Sequence, residues 1–261
     1  MLKSFIILLG FIAYQIVASA IAMVWATSTS ATPDDVVTPS AHQFAVGMAI
    51  AAVLFVAVLW AAKGIRRRPF NSAGKQPAGT WLAAIVGFTL FAFGLSAALS
   101  PLGLSDSGTT ALFGEMKSDT IGWIMLVFIG PLVEELAFRE GIQRTLSERF
   151  MPVKAALISA ATFGIIHFNP LQTVSALVLG FVLGLLYMRA GDIRLCLICH
   201  ILNNGLGVLL LSYPTIEGSL NQTGPVATGL IGLALMAVGG FILWKGVPLD
   251  RKLFFKPSHS L

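Results

Sequence analysis

The chain has 261 residues, of which 56% are hydrophobic and only 11% charged, with a formal net charge of +5. A soluble domain carries about 25% charged residues, so a soluble globular protein is excluded and one integral membrane domain, residues 1–261, is expected. The positive balance does not point to nucleic acid: no basic run interleaved with aromatics lies in a soluble segment, and membrane proteins collect Lys and Arg on the cytoplasmic side.

About 20 mostly apolar residues cross a bilayer as a helix. Such windows fall at 4–26, 43–62, 79–100, 119–138, 154–169, 171–190, 193–213 and 226–245. They predict an all-α polytopic bundle of about eight transmembrane helices. In the first, Lys3 and Ala18-Ser19-Ala20 resemble a signal peptide and its cleavage site, but the apolar run continues to Ala26 and suits an uncleaved anchor. Lys63, Arg66, Arg67, Arg68 and Lys75 follow span 2. Arg144, Arg149 and Lys154 follow span 4, Arg189 and Arg194 flank the turn after span 6, and Lys245, Arg251, Lys252 and Lys256 follow span 8. The opposite loops hold Asp34, Asp35, Asp106, Glu115, Asp119 and Glu217, with Lys117 as their basic residue. This alternation puts both termini in the cytoplasm. The tail with Lys252, Phe254, Phe255 and Lys256 could touch anionic lipid, but reads as a solvated end.

Three polar clusters interrupt these apolar runs: Glu134-Glu135…Arg139, Phe163…His167 and His200…Asn203-Asn204. An ionisable group at the bilayer centre costs roughly 2.5–3.5 kcal/mol on insertion scales, so several in one small protein call for a shared polar cavity. Gly130-Pro131, one turn before Glu134, predicts a kink, because proline lacks a backbone donor. Glu135 and Arg139 are four apart on one helix face, in the favoured acid-before-base order, which makes Glu135 the structural partner. Glu134 points about 100° away and is the better general base. The competing reading is that both glutamates end the helix in water at the cytoplasmic interface.

A lone histidine in an apolar helix is more often a hydrogen-bonded packing residue than a catalyst. His167 has Phe163 one turn earlier on its face, and Asn169-Pro170 follows as a helix end or bend. His200 and Asn204 share a face and both can donate, as an oxyanion site requires. Asn203 is close to that face and stays open, as does a purely helix-bridging role for both amides. Depth sets a condition. In a straight, upright span 5, His167 lies about 18–20 Å from the inner end, whereas Glu134 and His200 fall in the cytoplasmic third. Span 5 is therefore expected to be tilted or irregular. Cys196-Leu197-Ile198-Cys199-His200 matches the C-x-x-C-H haem c pattern, but it lies inside an apolar span near the cytoplasm. Two small apolar thiols are the better reading, with neither haem, zinc nor a disulfide expected there.

Taken together and in order, these motifs resemble the CPBP family of intramembrane proteases, which includes type II CAAX prenyl endopeptidases and bacteriocin-processing and immunity proteins. The resemblance covers about residues 119–213 as a catalytic core. Residues 1–118 and 226–261 are then accessory spans and tail. It implies that Glu134 activates water with help from His167, that His200 and Asn204 stabilise the oxyanion, and that Glu135 and Arg139 support them beside Phe163. It also implies a peptide bond in a membrane-associated or lipidated protein or peptide as substrate, and a bacterial or archaeal cell membrane as location. Zinc on Glu134, His167 and His200 is the metal alternative. A metal-free, glutamate-dependent reaction is preferred, because an amide is a poor zinc ligand. The rival functions are a non-enzymatic immunity or adaptor protein of the same fold and a proton-coupled transporter.

Overall fold

The bundle is held at its two ends by different polar contacts, and these fix which loops share a side. A computed structural model describes residues 1–30, 37–68, 70, 76–213 and 222–249. Asp34, Asp35, Lys75, Glu217 and the tail from residue 250, with Arg251, Lys252, Phe254, Phe255 and Lys256, lie outside the described residues. Nine helices and no strand occur among those described: α1 (Leu2–Thr29), α2 (Ala41–Ala61), α3 (Ala78–Leu99), α4 (Thr109–Met116), α5 (Thr120–Leu146), α6 (Pro152–Ile165), α7 (Pro170–Ala190), α8 (Ile193–Ser212) and α9 (Pro225–Gly246). Seven of them, all but α4 and α6, are long and apolar enough to cross a membrane. The chain is an integral membrane protein.

Two expected spans need correction. The fourth does not stop at residue 138 but continues to Leu146. The fifth is not a full-length helix: α6 has 14 residues and ends at Ile165, about 21 Å of helix against the ~30 Å of a bilayer core. The chain then turns through His167 and Phe168, whose φ is 53°, before Asn169 caps α7 by accepting from the Gln172 N–H at 2.8 Å. Span 5 is irregular as the depth argument required. The seven-helix count and the eight-span expectation differ by this one short segment.

At one end the basic loops meet. Arg66, after α2, reaches Glu140 and Tyr187, Gln76 donates to the Ala190 carbonyl at 3.0 Å, and Arg189 donates to the Val247 and Trp244 carbonyls at 2.8 and 2.9 Å. At the other end His42 pairs with Asp119 at 2.8 Å, Lys117 Nζ donates to the Leu211 carbonyl at 2.8 Å, and Asn169 donates to Thr109 Oγ1 at 3.1 Å. The loops group by end as the charge pattern predicts.

Lateral packing rests on small residues, as is usual where lipid removes the hydrophobic drive for helix association. A Cβ on Gly94 would stand 2.6 Å from the Gly232 carbonyl oxygen, so α3 and α9 touch backbone to backbone. Nearer the site, a Cβ on Gly164 would stand 2.7 Å from the Thr173 carbonyl oxygen, which sets the close α6–α7 hairpin.

Candidate active site

α5 carries the first motif, and its backbone is not regular. Met125–Ile129 and Leu136–Gln143 are π-helical turns inside it. Such turns are rare and occur mostly at functional sites. In the first, the Gly130 N–H donates five residues back to the Met125 carbonyl. The next bond of that register would run from residue 131 to the Leu126 carbonyl, but Pro131 has no N–H. Leu126 instead accepts from Asn204 Nδ2 at 3.0 Å. The Asn204 contact thus takes the place of the donor that Pro131 lacks, and it binds α5 to α8 at the third motif. The Asn204 oxygen accepts from Asn203 Nδ2 at 3.3 Å. Asn204 is pinned at both ends of its amide, and its nitrogen carries a second hydrogen that can face a reacting oxygen.

His200 joins the two glutamates. Its Nδ1 lies 2.8 Å from Glu135 Oε1 and its Nε2 lies 3.4 Å from Glu134 Oε2. Neighbouring residues pointing apart around α5 therefore meet opposite edges of one imidazole. Glu135 is fully enclosed, with 1% of its side chain exposed, whereas 24% of the Glu134 side chain is exposed. Glu134 is thus the more accessible of the two carboxylates. Glu135 also pairs with Arg139, as the spacing predicts, with Nε 3.2 Å from Oε2. This is an ion pair without a hydrogen bond between the two atoms. The Arg139 guanidinium lies 5.4 Å from the centre of the Phe163 ring, a cation–π contact in a desolvated setting.

Phe163 organises the second motif. Its ring is perpendicular to His167 at 4.9 Å and to His200 at 6.2 Å, centre to centre. His167 sits in the turn after α6, with Nδ1 2.7 Å from the Phe163 carbonyl oxygen, which fixes the ring. It lies in electrostatic range of Glu134. Contacts therefore join Glu134, Glu135, Arg139, Phe163, His167 and His200 in one cluster, and Asn204 follows His200 by one turn on α8 and reaches α5 at Leu126. The depth conflict disappears because α5 is longer than expected: Glu134 is 12 residues from Leu146, or about 18 Å, the same depth as His167.

No group of three His, Cys, Asp or Glu side chains among the described residues is arranged to hold a metal ion. The Nδ1 atoms of the His167 and His200 imidazoles face protein oxygens. Cys196 and Cys199 are buried free thiols, with Cys196 Sγ 3.3 Å from the Leu183 carbonyl oxygen.

Sequence reasoning missed a second polar cluster two turns from the site. The Glu140 carboxylate is fully buried. It accepts from Arg66 Nε, from Arg66 Nη2 at 2.7 Å and from the Tyr187 hydroxyl at 2.7 Å. Arg144 adds an ion pair at 3.4 Å. Ending span 4 at residue 138 left Glu140 in a loop. The signal was an acid directly after Arg139 facing the arginines that follow span 2.

The architecture and these contacts define a class: a polytopic helical membrane protein with a buried carboxylate–imidazole site between transmembrane helices. Residues 117–206 match the family described as type II CAAX prenyl endopeptidase Rce1-like. A protein of Bacillus subtilis (strain 168) named "Putative membrane peptidase YdiL" is 26% identical over 184 residues, covering 68% of this chain and 75% of its own length. No solved structure matches the chain. The chain is thus similar to type II CAAX prenyl endopeptidases over its motif-bearing segment, and both comparisons support a membrane peptidase activity.

Proposed function

We propose that this peptidase hydrolyses a peptide bond in a membrane-associated protein or peptide, with Glu134 as the general base. One observation carries the assignment: His200 presents one ring nitrogen to the enclosed Glu135 and the other to the partly exposed Glu134. Glu135, paired with Arg139, accepts from Nδ1 and fixes which edge of the ring faces the reaction.

Glu134 takes a proton from water as the water oxygen bonds to the scissile carbonyl carbon. His200 Nε2 and the second Asn204 amide hydrogen face the oxygen on which negative charge develops. The oxyanion role requires a proton on Nε2, because a neutral imidazole with its hydrogen on Nδ1 only accepts there. The carbon–nitrogen bond then breaks and the proton held by Glu134 passes to the leaving amine. His167, fixed to the Phe163 carbonyl, orients the water beside Glu134. No step passes through a metal. Binding pockets for a prenyl group do not enter this reading, and a peptide precursor or membrane-protein tail fits it as well as a lipidated C-terminus.

The test compares membranes from cells expressing wild type and Glu134→Ala at matched levels, searched by mass spectrometry for new peptide termini. Termini seen only with wild type support the reading and name the substrate. Identical termini in both, with both proteins folded, overturn it.

A further inference from the structure

The Glu134 carboxylate has four lone-pair sites, and its nearest partner, His200 Nε2, stands at 3.4 Å, long for a hydrogen bond. A general base so loosely held needs another contact. α1, outside the segment that matches the family, supplies a candidate. Its buried stripe is Ser4, Ile7, Phe11, Tyr14, Ala18, Ala22 and Ala26. Beyond Ser4 at the helix start, one polar atom occurs in that stripe, the Tyr14 hydroxyl. A phenol where a phenylalanine would pack equally well carries a polar group that wants a partner when buried.

The register between α1 and α5 shows where that hydroxyl lies. Ile7 Cδ1 would stand 3.2 Å from a Cβ on Gly141. Phe11 meets Phe138 edge-on at 5.0 Å between ring centres. Going up α1 therefore means going back along α5, so the helices are antiparallel. Tyr14 is three residues beyond Phe11 and Glu134 is four residues before Phe138, each about one turn. The two side chains are level. They also interact electrostatically. The Tyr14 ring is fixed by stacking on Phe55 at 5.6 Å and by a tilted contact with Phe11 at 5.4 Å, so its hydroxyl is aimed by packing.

We infer that Tyr14 is a positioning residue of the active site, its phenolic O–H holding the Glu134 carboxylate in the orientation that activates water. This rests on Glu134 as the base, as proposed above. It also gives the first helix a part in the chemistry, although the helix carries none of the motifs.

Tyr14→Phe keeps the aromatic stack and removes only the hydroxyl. The experiment uses full-length protein in lipid nanodiscs. The infrared carboxyl band of Glu134 is assigned by its loss in Glu134→Gln, then recorded in Tyr14→Phe. The expected result is a shifted band and about tenfold slower appearance of the Glu134-dependent termini, the size of one lost hydrogen bond, with unchanged melting. A ring that only packs would leave both the melting and the band in place, because phenylalanine keeps the same aromatic contacts. An unmoved band with termini at the wild-type rate overturns the inference about Tyr14 alone. Termini that persist in Glu134→Gln overturn the reading of Glu134 and this inference with it. If Tyr14→Phe does not fold, 3-fluorotyrosine at position 14 replaces it. That ring keeps its shape and is a stronger donor, so an unmoved band again overturns the inference.

Discussion

Glu134 and Glu135 are adjacent in sequence and differ in what surrounds them. Glu135 sits between His200 and Arg139 with almost no exposure, and Glu134 opens outward. Substituting each should therefore fail in a different way. Glu134→Gln should leave thermal unfolding close to wild type while lowering cleavage by about 10²–10⁴-fold, the usual worth of a general base. Glu135→Gln leaves the buried Arg139 charge uncompensated, and breaking such a pair costs about 3–5 kcal/mol. Its unfolding temperature should fall markedly. Equal stability losses in the two variants, measured in the same detergent, would contradict the division of roles. The i, i+4 spacing was enough to assign Glu135 to Arg139. The bond from Glu135 to His200 was not legible, because it joins residues 65 positions apart and no spacing rule reaches that far. Glu140 was illegible for a simpler reason: an acid just past an expected helix end reads as solvated.

At the scale of the element, α5 departs most from what its hydropathy shows. Charged Arg139, Glu140 and Arg144 lower the apolar signal, so a hydropathy window closes the span near 138, while burial carries the helix to Leu146. The π turns are invisible to periodicity over so few residues, although Pro131 marks where a carbonyl must find another donor. This gives a coupled prediction. Asn204→Ala leaves the Leu126 carbonyl without its partner and should cost about 1–3 kcal/mol. With Pro131→Ala also present, residue 131 regains an N–H and can bond that carbonyl, so the added cost of Asn204→Ala should shrink. Additive costs in a double-mutant cycle would contradict the link. The start of α5 is pinned outside the membrane by Asp119, which accepts from the Gly122 N–H at 2.8 Å and pairs with His42. These contacts, the Gly122 N–H first, hold its carboxyl below the ordinary aspartate range. A carboxyl lowered in the folded state stabilises above its unfolded value, near 3.9, and that stability is lost as pH falls through the lowered value. Melting temperature should therefore drop less steeply below about pH 4 in Asp119→Ala than in wild type. Parallel curves would count against this role.

For the whole molecule, composition and charge alternation were sufficient to predict a helical membrane bundle whose basic loops share one end. The structure adds that those loops are bonded to one another, through Arg66, Glu140 and Tyr187 and through Arg189 and Val247. Span 5 reads longer in sequence than it is, because α6 and its turn together make an apolar window, while the turn at His167 and Phe168 ends the helix early. That turn is what brings His167 to the site, so the departure from regular helix serves the proposed chemistry. The accessory helix α1 could not be joined to the site from sequence, since its partner on α5 is fixed by packing at Ile7 and Phe11. Metal dependence also belongs at this scale. The proposed reaction should survive dialysis against a strong zinc chelator, with termini appearing at the untreated rate. Loss on chelation and recovery on adding zinc would argue for a metal.

The most direct measurement of the central claim uses purified full-length protein in nanodiscs, with a peptide spanning the cleavage site found in membranes, in water enriched in ¹⁸O. The account predicts one ¹⁸O atom in the newly formed carboxylate, at a rate that Glu134→Gln abolishes while His200 and Glu135 stay in place. Labelled product formed at the wild-type rate by the Glu134→Gln protein would contradict it.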